Sequence, residues 1–231
     1  DLFNLSGKVA LVTGGNGGLG LGMALGLAGA GANIAIAARN PDKTSDAIKQ
    51  IESIGGQAIS VPTDVTQESE IEAMVSETLR RLGHIDILVN NSGVTMRKEP
   101  EDLTGDDWDH VLNVNLRACF LASKTVYPHM RDQGAGKIIN IGSMTSIFGG
   151  GGSGAPYSSS KGGIVQLSKS LAVAWAKDNI QVNTILPGWI LTDLTAAIET
   201  RFPRRHRLIS SRIPAGRWGT PDDFAGVAIF L

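Results

Sequence analysis

With 231 residues, 42% of them hydrophobic, 19% charged and a formal net charge of −1, the chain has the balance of a soluble globular protein with a generous core. That charge argues against a nucleic-acid partner, which would want a basic face, and no apolar run reaches the roughly 18 residues of a membrane span. The one cysteine, Cys119, cannot close an internal disulfide and reads as buried packing in RACFLAS, so a reducing cytoplasm is the expected home. The start, DLFNLSGKVALVTGG, shows no basic-then-apolar leader, and the four histidines (His84, His110, His129 and His206) lack metal-ligand spacing, so no metal is expected.

Taken in chain order, short β-branched runs alternate with longer amphipathic ones. KVALVT (8–13) predicts a strand, followed by a glycine-rich turn and a helix over 18–30. NIAIAA (33–38), a helix over 41–54, QAISVP (57–62) and a helix over 67–82 come next. IDILVN (85–90) precedes a long helix over 104–133, with Thr104 as N-cap and Asp107 three residues on. KIINIG (137–142), a helix over 156–177 and IQVNTI (180–185) complete the regular part, and 193–213 is less regular. Nearly continuous apolar strands imply a sheet covered on both faces. The alternation predicts right-handed βαβ units in an α/β fold, a Rossmann-type doubly wound parallel sheet with helices on both faces. No linker or internal repeat divides the chain, so 1–231 is expected to be a single domain.

Such a sheet binds ligands outside the carboxyl ends of its strands, and the residues with chemistry to offer stand there. TGGNGGLG follows the first strand, where Gly14, Gly18 and Gly20 would let the backbone turn tightly and approach a diphosphate at the helix N-terminus. A turn chosen only for strand–helix packing would look the same. At the end of the second strand Ala38 stands where an NAD site wants a carboxylate, and Arg39 follows, a side chain able to grip a ribose 2′-phosphate. NADP is therefore the expected cofactor, with NAD the alternative. Further along, Tyr157 and Lys161 lie at i and i+4, on one face of a helix, where an ammonium could lower the phenol's pKa. The spacing alone does not decide between a proton-transfer device and an ordinary surface helix.

Together TGGNGGLG, TDV, NNSG, NVNL, Ser143, Y-x-x-x-K and LPG resemble the short-chain dehydrogenase/reductase family over nearly the whole chain. The resemblance implies an NAD(P)-dependent oxidoreductase acting on a CH–OH group, with Asn115, Ser143, Tyr157 and Lys161 as its catalytic tetrad. Tyr157 would exchange the proton on the substrate oxygen. Lys161 would lower its pKa and hold the nicotinamide ribose, Ser143 would hydrogen-bond the carbonyl oxygen, and Asn115 would hold a water in a proton relay. It further implies cofactor contacts from Asn16, Leu19, Asp64, Val65, Asn91, Gly93, Pro187, Gly188, Ile190 and Thr192 beside the residues above.

The segment 190–213 would be a substrate lid, and its Arg201, Arg204, Arg205, Arg207 and Arg212 would attract an anionic substrate; a solvated lid face is the alternative. Arg97, Thr145, Trp189 and Arg205 are the candidate substrate contacts. RIPAGRWG, GLGLGMALGLAGAG and GHIDILVNNSG look like the sugar-acid branch of the family, the 2-deoxy-D-gluconate 3-dehydrogenase and gluconate 5-dehydrogenase type. The alternatives are a 3-oxoacyl-carrier-protein reductase and a non-catalytic nucleotide-sensing module. By resemblance a homo-oligomer, a tetramer, is expected. The sequence given stops before the last strand and tail usual in the family, either absent or not included, so the sheet is expected to lack its final edge strand here.

Overall fold

The computed structural model describes residues 2–149 and 154–231. Six strands, β1 (Val9–Thr13), β2 (Asn33–Ala38), β3 (Gln57–Pro62), β4 (Ile87–Asn90), β5 (Gly136–Ile141) and β6 (Ile180–Ile185), form one parallel sheet in the order β3-β2-β1-β4-β5-β6. Successive side chains of a strand point to opposite faces, and both faces are covered. On one side Ala10, Val12, Ile34 and Ile36 pack against Met23 and Leu27 of α1 (Gly18–Gly29) and Ile51 of α2 (Pro41–Ser53). On the other, Leu11, Ala35, Leu88 and Ile138 pack against Ile71 and Met74 of α3 (Glu68–Leu82) and against two later helices. The order reverses at β1, which neighbours both β2 and β4, and this opens a crevice above their carboxyl ends.

The helix expected over 104–133 is interrupted. It runs as α4 (Gly105–Leu112), a π-helical turn over Asn113–Arg117, and α5 (Ala118–Gln133). Asn115 sits in that turn, its amide bonded to the Val94 backbone, and a one-residue bulge of this kind re-aims a helix locally. The capping box at Thr104 and Asp107 is present. The helix α6 (Ala155–Trp175) follows β5, and the lid segment resolves into α7 (Asp193–Arg201) and α8 (Pro203–Ser210). A short α9 (Ala225–Phe230), absent from the expected elements, follows a 3-10 turn over Pro221–Phe224. Among the described residues no helix is long and apolar enough to cross a membrane, and no group of three His, Cys, Asp or Glu side chains could hold a metal ion.

Glycines let α1 touch this last segment. A Cβ on Gly22 would collide with the Pro221 carbonyl, and one on Gly26 with Ala225. Gly22→Ala should therefore force α1 and the Pro221–Phe224 turn apart, at about 1–3 kcal/mol of overpacking. Urea unfolding of the variant measures this; an unchanged midpoint would mean the two do not pack as described.

Candidate active site

Above the carboxyl ends of the strands lies a cleft of about 570 Å³, within the range that encloses a large ligand. One end is built by the glycine turn. Gly14 (φ +63°) and Gly18 (φ +50°) hold left-handed backbone, which glycine adopts without strain. A Cβ on Gly14 would stand 3.0 Å from Asn91 Nδ2. The Asn91 amide donates to the carbonyls of Thr13 and Gly14, both at 3.1 Å, so the turn is fastened to the loop after β4. The start of α1 carries no capping side chain and no acid in its first turn, leaving its amides and positive dipole end for an anion. Asn16 donates to Asn40 O at 3.3 Å and to Thr44 Oγ1 at 3.1 Å, tying the glycine turn to the start of α2.

At the other end stand Ser143, Tyr157 and Lys161, all lining the cleft. Ser143 stands two residues beyond β5, and its Oγ accepts from Thr145 N (3.1 Å) and Thr145 Oγ1 (3.0 Å), which leaves its own proton free to point elsewhere. The Ser143 hydroxyl near the Tyr157 phenol pulls its pKa down, but burial pushes harder, and the phenol lies above its ordinary value. Lys161, only 4% exposed, donates to Ile141 O at 2.6 Å, and burial lowers its ammonium to about 8. Its Nζ sits over the Tyr157 ring, 5.6 Å from the centroid. The Lys161 cation faces the ring, and desolvation sets the net direction for the phenol, which is upward.

Asn115 is 2% exposed and does not line the cleft. Its Oδ1 accepts from Val94 N (2.8 Å), and its Nδ2 donates to Val94 O (3.0 Å) and Ser160 Oγ (2.9 Å). Both protons of that amide and one lone pair of its oxygen serve as a brace between the β4 loop and α6.

Gly14, Asn16, Gly18, Leu19, Arg39, Asp64, Val65, Asn91, Gly93, Pro187, Gly188, Ile190 and Thr192 line the cleft as expected. Gly20 does not; a Cβ there would strike the Gly14 carbonyl, so its smallness serves packing. None of the four candidate substrate residues lines it either. Arg97 donates to Leu194 O at 2.6 Å, Thr145 is spent on Ser143, and Trp189 packs against Trp218 with ring centroids 5.3 Å apart. Arg205 is exposed on α8, as are Arg201, Arg204, Arg207 and Arg212 nearby, and none of them reaches the cleft. The helix turns Ile209 inward and its arginines outward, so the lid meets the cleft through Asp193, Leu194 and Thr195 and not through its basic face. The wall also includes Lys43, Ser92 and His110, which the motifs did not single out. Ser92 stands inside NNSG, and Lys43 is a second cation four residues after Arg39.

Residues 8–202 match the profile of the short chain dehydrogenase family. The chain belongs to that family. A 2-dehydro-3-deoxy-D-gluconate 5-dehydrogenase of Formosa agariphila is 42% identical, the match covering 100% of this chain and 88% of the relative. A 5-keto-D-gluconate 5-reductase of Escherichia coli is 39% identical over 100% of this chain and 90% of its own. Among solved structures, a gluconate 5-dehydrogenase of Burkholderia cenocepacia in complex with NADP and tartrate superposes with a TM-score of 0.94 at 38% identity, covering 100% of this chain and 90% of that one. The dinucleotide that short-chain dehydrogenases bind fits the residues present. Uncapped helix amides and left-handed glycines suit a diphosphate, and Arg39 and Lys43 beside Ala38 suit a phosphate on the adjoining ribose.

The Lys161 ammonium carries a stability signature. Its folded pKa of about 8 lies below the ordinary lysine value of 10.5, so between those values the unfolded chain binds more protons and stability rises with pH. Below that window the burial cost is fully present. At pH 7 Lys161→Met exchanges the burial cost for an Ile141 carbonyl without its donor, so it should stay near wild-type stability there and lose the wild type's extra rise between pH 8 and 10.5. Paired urea titrations at pH 7 and 10 check this, and a variant less stable at pH 7 with an unchanged pH slope would refute it.

Proposed function

We propose that this chain is an NADP-dependent oxidoreductase interconverting a secondary alcohol and a ketone on a sugar acid. The observation that carries the reading is one cleft with Ser143, Tyr157 and Lys161 at one end and Ala38, Arg39 and a glycine turn at the other. The names of the relatives support the substrate class. The bound nicotinamide supplies or accepts the hydride. In the direction of reduction, Tyr157 is a phenol kept protonated by burial, and it donates that proton to the substrate oxygen. Ser143, whose oxygen already accepts from Thr145, directs its proton to the same oxygen as charge develops there. Lys161, held under Ile141 O and over the Tyr157 ring, supplies positive charge when the phenolate forms. Asn115 positions α6 through Ser160, whose hydroxyl donates to Tyr157 O at 2.7 Å.

The protein would work in the cytoplasm as a homotetramer. An apolar groove between α5 and α6, lined by Leu112, Leu116, Phe120, Gly163 and Leu167, supports association through those helices.

Purified protein offered 2-dehydro-3-deoxy-D-gluconate, 5-keto-D-gluconate and an acetoacetyl thioester, each with NADPH or NADH, tests the assignment. Reduction of the sugar acids with NADPH is expected; reduction of the thioester alone would replace the substrate class with a carrier-bound oxoacyl group. Tyr157→Phe should lower kcat at least 100-fold, on the order expected for a lost general acid, while NADPH still binds. Retention of most activity would remove Tyr157 from the chemistry. Arg39→Asp should move the NADPH:NADH preference toward NADH, and an unchanged ratio would remove the argument for NADP.

A further inference from the structure

We infer that Lys43 is a second determinant for the cofactor's 2′-phosphate and that Asp193, on the lid helix, competes with that phosphate for the same ammonium. The inference rests on the cleft being a dinucleotide site. Ala38, Arg39, Asn40 and Lys43 line one wall in succession, and Ala38 brings no carboxylate to hold a bare ribose hydroxyl. The backbone there is fixed. Asn40 caps α2 by accepting from Lys43 N at 3.0 Å, and Asn16 ties Asn40 and Thr44 to the glycine turn. The Lys43 side chain is the adjustable part, 58% exposed, and it reaches across the cleft mouth to Asp193 Oδ2 at 2.8 Å.

Asp193 is the first residue of α7, follows Thr192, and itself lines the cleft. Its side chain is 87% exposed, and ion pairs so open to water contribute little. The other acids nearby do not hold Lys43: Asp64 accepts from Thr66 N and Oγ1, and Asp46 pairs with Lys49. Arg39 has no carboxylate within ion-pair distance among the described residues. A phosphate drawn in by Arg39 would bring a larger charge to Lys43 than one carboxylate does, with three acceptor oxygens. The ammonium would turn to the phosphate and release the N-terminus of α7, which Arg97 still holds at Leu194 O. A cofactor without that phosphate would leave the pair in place. Coupling of this kind is reciprocal.

Equilibrium titration of NADPH and NADH into the full chain, read by nucleotide fluorescence and without substrate, tests this. Lys43→Gln should weaken NADPH on the order of tenfold and leave NADH within about twofold. Asp193→Asn should tighten NADPH about two- to fivefold, leave NADH unchanged, and lose that gain in the Lys43→Gln background. Both positions are on the surface, so the variants should fold. Equal effects of Lys43→Gln on the two nucleotides, or none, would overturn the assignment. So would weaker binding of both in Asp193→Asn, since the pair would then be a strap over the whole cofactor. If the wild type bound neither nucleotide, the cofactor reading itself would fall; wild-type binding with no discrimination at Lys43 would sink this inference alone.

Discussion

A charged ammonium in a nearly water-free place needs a partner, and in this fold the partner is one backbone carbonyl at the tip of a central strand. The Lys161–Ile141 bond fixes α6 against β5 at the level where the sheet opens into the cleft. Two further bonds hold the same seam, Ser146 Oγ to Lys161 O and Asn140 Nδ2 to Ser168 Oγ, each at 2.8 Å. Asn140 is in turn held by Asn90 and Cys119. Apart from the half-buried Ser146, every member of this chain is buried, and each has a partner, the condition under which a polar network rigidifies a core instead of weakening it. Tyr157 faces the cleft because α6 cannot slide.

The phosphate-binding end is organised by closeness of backbone to backbone. The left-handed glycines at 14 and 18 bring the chain round, and Asn91 and Gly20 occupy the small space left beside it. Polar side chains then do the tying that packing cannot, from Asn91 to the first strand and from Asn16 to α2. Ser143, Tyr157 and Lys161 stand on the far side of the strand-order reversal, so one crevice joins both ends.

Much of this was legible in the sequence because it is local. Continuous apolar runs marked the six strands to within two residues, and the glycine spacing and the Tyr157–Lys161 step marked the two ends of the cleft. What was not legible depends on distant partners. A helical period cannot reveal a π-turn whose cause is Asn115 meeting Val94, 21 positions away. Nor does a run of arginines say which face of α8 it occupies; that follows from Ile209 packing inward. The direction of the Tyr157 shift turned on burial, which spacing does not encode.

The brace from Asn16 has one more consequence. Because a single amide joins the glycine turn to both Asn40 and Thr44, the two loops cannot adjust separately. A ligand touching either meets a cradle already set at folding, so less freedom is lost when it docks. The same stiffness makes the cradle unforgiving: a residue swapped into one loop changes charge without changing the distance to the other, and a nucleotide of different reach must adapt its own torsions.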